Sequence, residues 1–402
     1  MSTDSTAPAP LFKLLLLLWL GGITLRVTIL AVPPVIPLIH DDLHLSETQV
    51  GLLMGLPLAM FAIAALPGSL LVARYGALRT LIVGMVITAL AGSARGGAFS
   101  ILTLYAATLA MGFGVAVMQP ALPALVREWV PQRTVLASAM ASNGMLVGAT
   151  LASIFTIPLV LPLVGGSWRR DLVVWSAPVL LIALVFMLGP KDDGPASASG
   201  DVAHRWWPDW KKPLTWILGL TFGSNNSIYF ATNAFLPDYL SSQDRADLIG
   251  PGLGWLNGAQ FLATFILMLA AERLTGRIWP YLVFGLMTIA AIIGIIHSTG
   301  PWVVFCAAVV GFATAMTFAV VLSLPPQLSA PGDVHRTAAG MFTISYTIAV
   351  IVPTLSGALW DLTGVPWTAF VPLSVCGVVL TVLGMVLSGY KAPAISRASS
   401  AP

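Results

Sequence analysis

The sequence predicts an all-α integral membrane protein of twelve transmembrane helices, arranged as two pseudo-symmetric six-helix bundles. Three observations carry the prediction. Charged residues make up 9% of the 402 and hydrophobic ones 57%, against about 25% charged in an average soluble chain. Too few polar side chains remain to cover a water-facing surface of this size. Apolar stretches long enough to cross a bilayer recur along the whole chain, and they must be helical, because an open sheet edge has no hydrogen-bond partner in hydrocarbon. The third observation is a resemblance between the two halves of the chain at a shift near 200.

The spans fall at about 11–39, 47–73, 79–95, 99–127, 134–163, 171–190, 212–240, 249–271, 278–297, 300–327, 337–360 and 366–390. The first is the most informative. Trp19 to Pro37 is apolar enough to cross, yet Arg26 sits near its middle. An arginine at mid-membrane depth costs about 2.5–3.5 kcal/mol on insertion scales and normally faces a cavity or a partner. Pro33, Pro34 and Pro37 remove backbone donors and loosen the outer end of the same helix. Pro120/Pro123 and Pro325/Pro326 take corresponding places in spans four and ten, where they are expected to bend the helices and contribute to gating.

Orientation follows from Lys and Arg in the short loops. With the N-terminus inside, 14 of the 19 basic residues lie on the inner side and four on the outer (Arg95, Arg169, Arg170, Arg245), with Arg26 in the membrane. Both termini are therefore expected to be cytoplasmic, in a bacterial inner membrane. The N-terminus carries no cleavable signal pattern and reads as a retained first span. The one long polar stretch, Lys191 to Lys212, separates an N-terminal bundle (1–190) from a C-terminal bundle with a short tail (212–402). Residues 191–211 read as a cytoplasmic linker whose Trp206, Trp207 and Trp210 anchor at the interface.

The halves match in several places. A shift of 200 sets Pro237 on Pro37 and Asn226 on Arg26; a shift of 203 sets Gly254–Gly258 on Gly51–Gly55, Arg336–Thr337 on Arg133–Thr134, and Tyr346 on Asn143. A parallel duplication of this kind is how many secondary transporters are built, with the ligand between the repeats.

Over nearly its whole length the chain resembles the major facilitator superfamily. The loop G-S-L-L-V-A-R-Y-G-A-L-R (Gly68–Arg79) looks like the family's hallmark between spans two and three. Arg74, Gly76 and Arg79 are kept, but the family's acidic residue is Ala73 here; the second copy keeps Glu272 beside Arg273. Within the superfamily the chain resembles the cyanate and nitroimidazole transporter branch through Leu25–Pro37, Val117–Arg127, Gln132–Thr134 and Asn233–Tyr239. The resemblance implies rocking alternating access, with Arg74, Arg79, Arg127, Glu272 and Arg273 helping to close the cytoplasmic side.

The candidate site is read from intramembrane polar residues. All sixteen acids map to loops, tails or helix ends, with Asp238 and Asp361 nearest to exceptions, so no carboxylate pairs with Arg26 at mid-depth. Its charge is then open to a small planar anion. Asn226, Tyr229 and Asn233 share one helix face at i, i+3 and i+7. With Gln119, Asn143, Asn257 and Tyr346 they supply amide and phenol groups to orient a cargo without a further charge. The substrate-binding set is Arg26, Gln119, Asn143, Asn226, Tyr229, Asn257 and Tyr346. The five histidines fall in or beside loops, where solvation is expected, and Cys306 and Cys376 read as packing residues.

No nucleophile–base pair, phosphate loop or metal-ligand spacing is present, so neither an enzyme nor a resident metal or cofactor is expected. A net charge of +3 with scattered basic residues gives no nucleic-acid surface. The expected function is movement of a small monovalent, cyanate-like anion by a monomeric carrier whose partners are its solute and the bilayer. Carriage of nitroimidazole-like or small organic acid solutes, or drug efflux on the same fold, is the alternative.

Overall fold

A computed structural model describes residues 11–189, 208–274, 277, 279–329 and 333–390. These residues form twelve long helical segments and, among the described residues, no strand. We number them α1 (Leu11–Leu43), α2 (Glu47–Tyr75), α3 (Ala77–Ala94), α4 (Ile101–Trp129), α5 (Pro131–Leu163), α6 (Trp168–Met187), α7 (Pro213–Ser242), α8 (Ile249–Leu274), α9 (Trp279–His297), α10 (Pro301–Leu322), α11 (Val334–Thr363) and α12 (Val371–Gly389). The expected linker lies almost wholly outside the described residues, as do Trp206 and Trp207.

Among the described residues, 11 helices are long and apolar enough to cross a membrane on composition alone. The twelfth, α7, is 30 residues long but too polar for that criterion. Its polarity is turned inward: Ser224, Asn225, Asn226, Ser227 and Asn233 are all buried. Lipid sees little of this helix.

Helices α1 to α6 pack on one another, as do α7 to α12, and the two groups meet along two seams, α2 against α11 and α5 against α8. Glycine makes both possible. A Cβ at Gly51 would strike the carbonyl of Pro353, one at Gly357 the carbonyl of Glu47, and one at Gly254 the side chain of Ile154. These contacts follow the antiparallel order of each pair. On α2 and α11 they run from Glu47–Gly357 through Gly51–Pro353 and Gly55–Val350 to the rings of Phe61 and Tyr346. On α5 and α8 they run from Ile157–Gly250 to Thr150–Gly258.

Past those levels lie exposed side chains. Ile63 and Leu70 on α2, and Ser138 and Ser142 on α5, are open. A cleft among α1, α4 and α5, lined by Leu25, Gln119, Pro123, Ser138, Ser142 and Met145, lies on this open side. The bundle is thus shut at the end holding Glu47 and parted towards the end where α1 begins.

The prolines act differently in the two copies. Pro120 and Pro123 sit inside an uninterrupted α4. After α10 the chain turns at Ser323 and Leu324, and Pro325 and Pro326 open a separate turn, Pro325–Leu328. A proline at a first helical position loses no intrahelical bond, because its missing N–H would be unpaired there anyway.

Candidate substrate site

Helix α1 is broken where its charge sits. Regular helix runs Leu11–Thr24, resumes at Val27–Leu30, tightens at Pro33–Val35 and continues over Ile36–Leu43. Between the first two pieces the N–H groups of Leu25 and Arg26 donate to Gly22 and Ile23, only three residues back. Towards Pro33 the N–H of Val32 donates to Ile29, which takes it from the carbonyl of Thr28. That carbonyl instead accepts from the guanidinium of Arg95 at 3.0 Å. A buried orphan carbonyl is costly, and a second arginine removes the cost.

Arg26 itself has no such partner. Its Nη1 is buried and makes no hydrogen bond. The guanidinium carbon lies 5.5 Å from the centroid of the Phe230 ring, and its charge reaches the phenols of both Tyr229 and Tyr346. Tyr346 stacks on Phe342 at 5.9 Å and meets Phe61 edge-on at 5.4 Å. The cation therefore lies over a ring of α7 and close to Tyr346 of α11, which in turn meets Phe61 of α2. Ring faces attract a cation by about 0.5–2 kcal/mol, which leaves the donors of Arg26 unfilled. Among the described residues no carboxylate forms an ion pair with it; the acids engage His40, Arg169, Lys212 and Arg336.

The other expected residues divide into three groups. Tyr229 and Tyr346 stand with Arg26, and Gln119 lines the cleft that includes Leu25. Asn143 accepts from Trp19 Nε1 at 2.9 Å, and Asn226 donates to Ser345 at 2.8 Å; both tie helices together. Asn257 is fully buried. It accepts from the Tyr229 hydroxyl and donates to Ser153 at 3.0 Å and Asn233 at 3.1 Å. It therefore bridges α8 to both α5 and α7, and in this conformation its amide is spent on the protein.

The expected gating arginines occupy the parted end. Arg74, which lies over the ring of Tyr75 at 5.3 Å, is exposed, as are Arg79 and Arg127. The side chains of Glu272 and Arg273 lie outside the described residues. The charge cluster seen at that end joins Lys212 to Asp333 at 2.6 Å and Arg336 to Asp333 at 3.0 Å.

Three expectations are corrected. Arg95, read as an outer loop residue, is 1% exposed and donates into α1, because its chain turns inward where α3 ends. Asp171, read as a helix-end acid, is fully buried beside it. His40, read as solvated, lies half-buried 3.2 Å from Asp238. Each misreading has one cause: a residue near a helix end was assigned to water when another helix covers it.

A family model described as Major Facilitator Superfamily matches residues 18–250, more than half of the chain. The chain belongs to the major facilitator superfamily. It is 28% identical to the 2-nitroimidazole transporter of Escherichia coli (strain K12), over 91% of this chain and 91% of that one. It is 25% identical to the cyanate transport protein CynX of the same strain, over 92% and 96%. A bacterial homologue of the human lysosomal transporter Spinster, solved inward-facing and unoccupied, superposes with a TM-score of 0.72 at 17% identity, covering 94% of each chain. The superfamily member described here is a multi-pass membrane transporter of a small molecule, not an enzyme.

Proposed function

We propose that the chain carries a small monovalent, planar anion of the cyanate type across a bacterial cytoplasmic membrane, with Arg26 as the anion-binding group. The observation that carries the reading is the buried Nη1 of Arg26 with no protein partner. An uncompensated buried charge is expensive, and an anion seated on the fork of donors meets that cost with charge-assisted hydrogen bonds. On this reading Tyr346 orients it, with Tyr229 once its hydroxyl leaves Asn257, and Gln119 lines its path. One end shut and the other parted is what rocking alternating access needs. On this reading the parted end and both termini are cytoplasmic, and Arg74, Arg79, Arg127, Glu272 and Arg273 take part in closing it.

A second reading has its own support. The rings of Phe61, Phe230, Phe342, Tyr229 and Tyr346 surround the same place, which suits a planar aromatic solute of the nitroimidazole class. Counterflow into proteoliposomes with cyanate, nitrite, nitrate, formate, small organic acids and 2-nitroimidazole, with and without a proton gradient, separates the two. Exchange of the inorganic anions that Arg26→Gln abolishes supports the first. Exchange of nitroimidazole alone, untouched by Arg26→Gln, replaces it with the second.

A further inference from the structure

At the shut end, three side chains from both halves converge. His40 Nδ1 lies 3.2 Å from Asp238 Oδ2 and 3.9 Å from Glu47 Oε1, and the nitrogen and the two carboxylate oxygens all fall within 4.8 Å of one another. Glu47 is 7% exposed and Asp238 6%. Glu47 Oε2 is buried without a hydrogen-bond partner. Asp41 and Asp361 add their negative charges to the same place. Among the described residues no lysine or arginine forms an ion pair with any of these four acids. Asp361 is already committed: it accepts from the N–H groups of Glu47 and Thr48 and from the Thr48 hydroxyl, capping α2 from the other half. Closing this end thus gathers carboxylates that, among the described residues, no lysine or arginine neutralises.

We infer that His40, Glu47 and Asp238 form a site for a divalent transition-metal ion of the Zn²⁺ class, which staples the two halves together at this end. One imidazole nitrogen and two carboxylate oxygens make three ligands, with a fourth position for water. Tetrahedral bonds of about 2.0–2.2 Å set ligand atoms roughly 3.4 Å apart, close to the 3.2 and 3.9 Å separations already present. Glu47 can close the remaining gap, since no hydrogen bond holds its carboxylate. The imidazole favours Zn²⁺, Ni²⁺ or Cu²⁺ over Mn²⁺, Mg²⁺ and Ca²⁺, which prefer oxygen ligands. Asp238 belongs to one half, His40 and Glu47 to the other, so the ion binds only when this end is shut. The inference is independent of what Arg26 binds.

The test uses the full chain in nanodiscs, with spin labels at Gly97→Cys and Gln243→Cys on the two halves and Cys306 and Cys376 replaced by serine. Zn²⁺ is titrated at constant pH while Tm and the label distance are read. The expected result is a rise in Tm and a shift to the short distance, with Glu47→Gln and Asp238→Asn each weakening the response at least about tenfold. Asp42→Asn, which breaks the neighbouring pair with Arg169, should leave it intact. The inference is overturned if Zn²⁺ moves neither readout, or moves both equally in the two cluster variants. It is equally overturned if acidification in chelator shortens the distance and Zn²⁺ does not, which would make the cluster a proton latch.

Discussion

Two arginines lie inside the same half of the molecule, and their surroundings differ. Arg95 is sealed from solvent, donates to the carbonyls of Thr28 and Gly92, and lies near Asp171, although its own Nη1 is also buried without a partner. Arg26, two residues from Thr28, faces aromatic rings and keeps a buried Nη1 unfilled. A buried, unpaired Nη1 is common to both; what differs is that Arg95 also donates to two backbone carbonyls, whereas Arg26 meets an aromatic ring. The first arginine satisfies a carbonyl freed by the irregular course of α1, and the second sits where the helix is interrupted.

The comparison is broken most directly by exchanging the charges. Arg95→Met leaves the buried Thr28 carbonyl without its donor, and a buried polar group left unsatisfied costs about 1–3 kcal/mol. A large fall in Tm is expected, whereas Arg26→Gln should keep Tm and lose cargo affinity. Equal losses of Tm in both would show that Arg26 is structural after all. A smaller effect is expected from Gly51→Val, whose side chain would meet the Pro353 carbonyl. It should pry open the shut end, read as a longer label distance there, while Gly258→Ala, with only an ordinary contact to Thr150, leaves that distance unchanged.

The smallest effect belongs to the parted end. Hydrogen bonds from Lys212, then Arg336, hold the Asp333 carboxyl below the usual carboxylate range. That contribution is present above the ordinary carboxylate pKa and is lost as pH falls through the lower folded value. Asp333→Asn should therefore lower stability at neutral pH by about 0–1 kcal/mol, the range for exposed pairs. The gap between variant and parent should vanish in strong acid, as thermal unfolding across pH would show.

How much of this was legible beforehand follows from distance along the chain. The spans and the charged first helix are local patterns, and they hold in the fold; of the residues spaced to share a face, Tyr229 and Asn233 meet Asn257 on α8, while Asn226 turns to Ser345 on α11. The duplication was also readable, since the matched Gly51–Gly55 and Gly254–Gly258 both lie on seams. The pairing of His40 with Asp238, 198 residues apart, has no local signature. Neither does the use of Asn226 by Ser345 or of Asn257 by Ser153. A polar side chain inside a membrane announces that it needs a partner, and only the packing decides whether that partner is cargo or another helix.

The inward-turned polarity of α7 bears on how such chains are oriented. A count of greasy segments alone stops at an odd number, and odd parity would draw the tail emerging on the face opposite the start. Every loop after residue 213 would then be assigned to the wrong compartment. The segment that fails a hydropathy threshold is the one whose recovery restores the topology, and in this chain it also carries Tyr229 and Phe230.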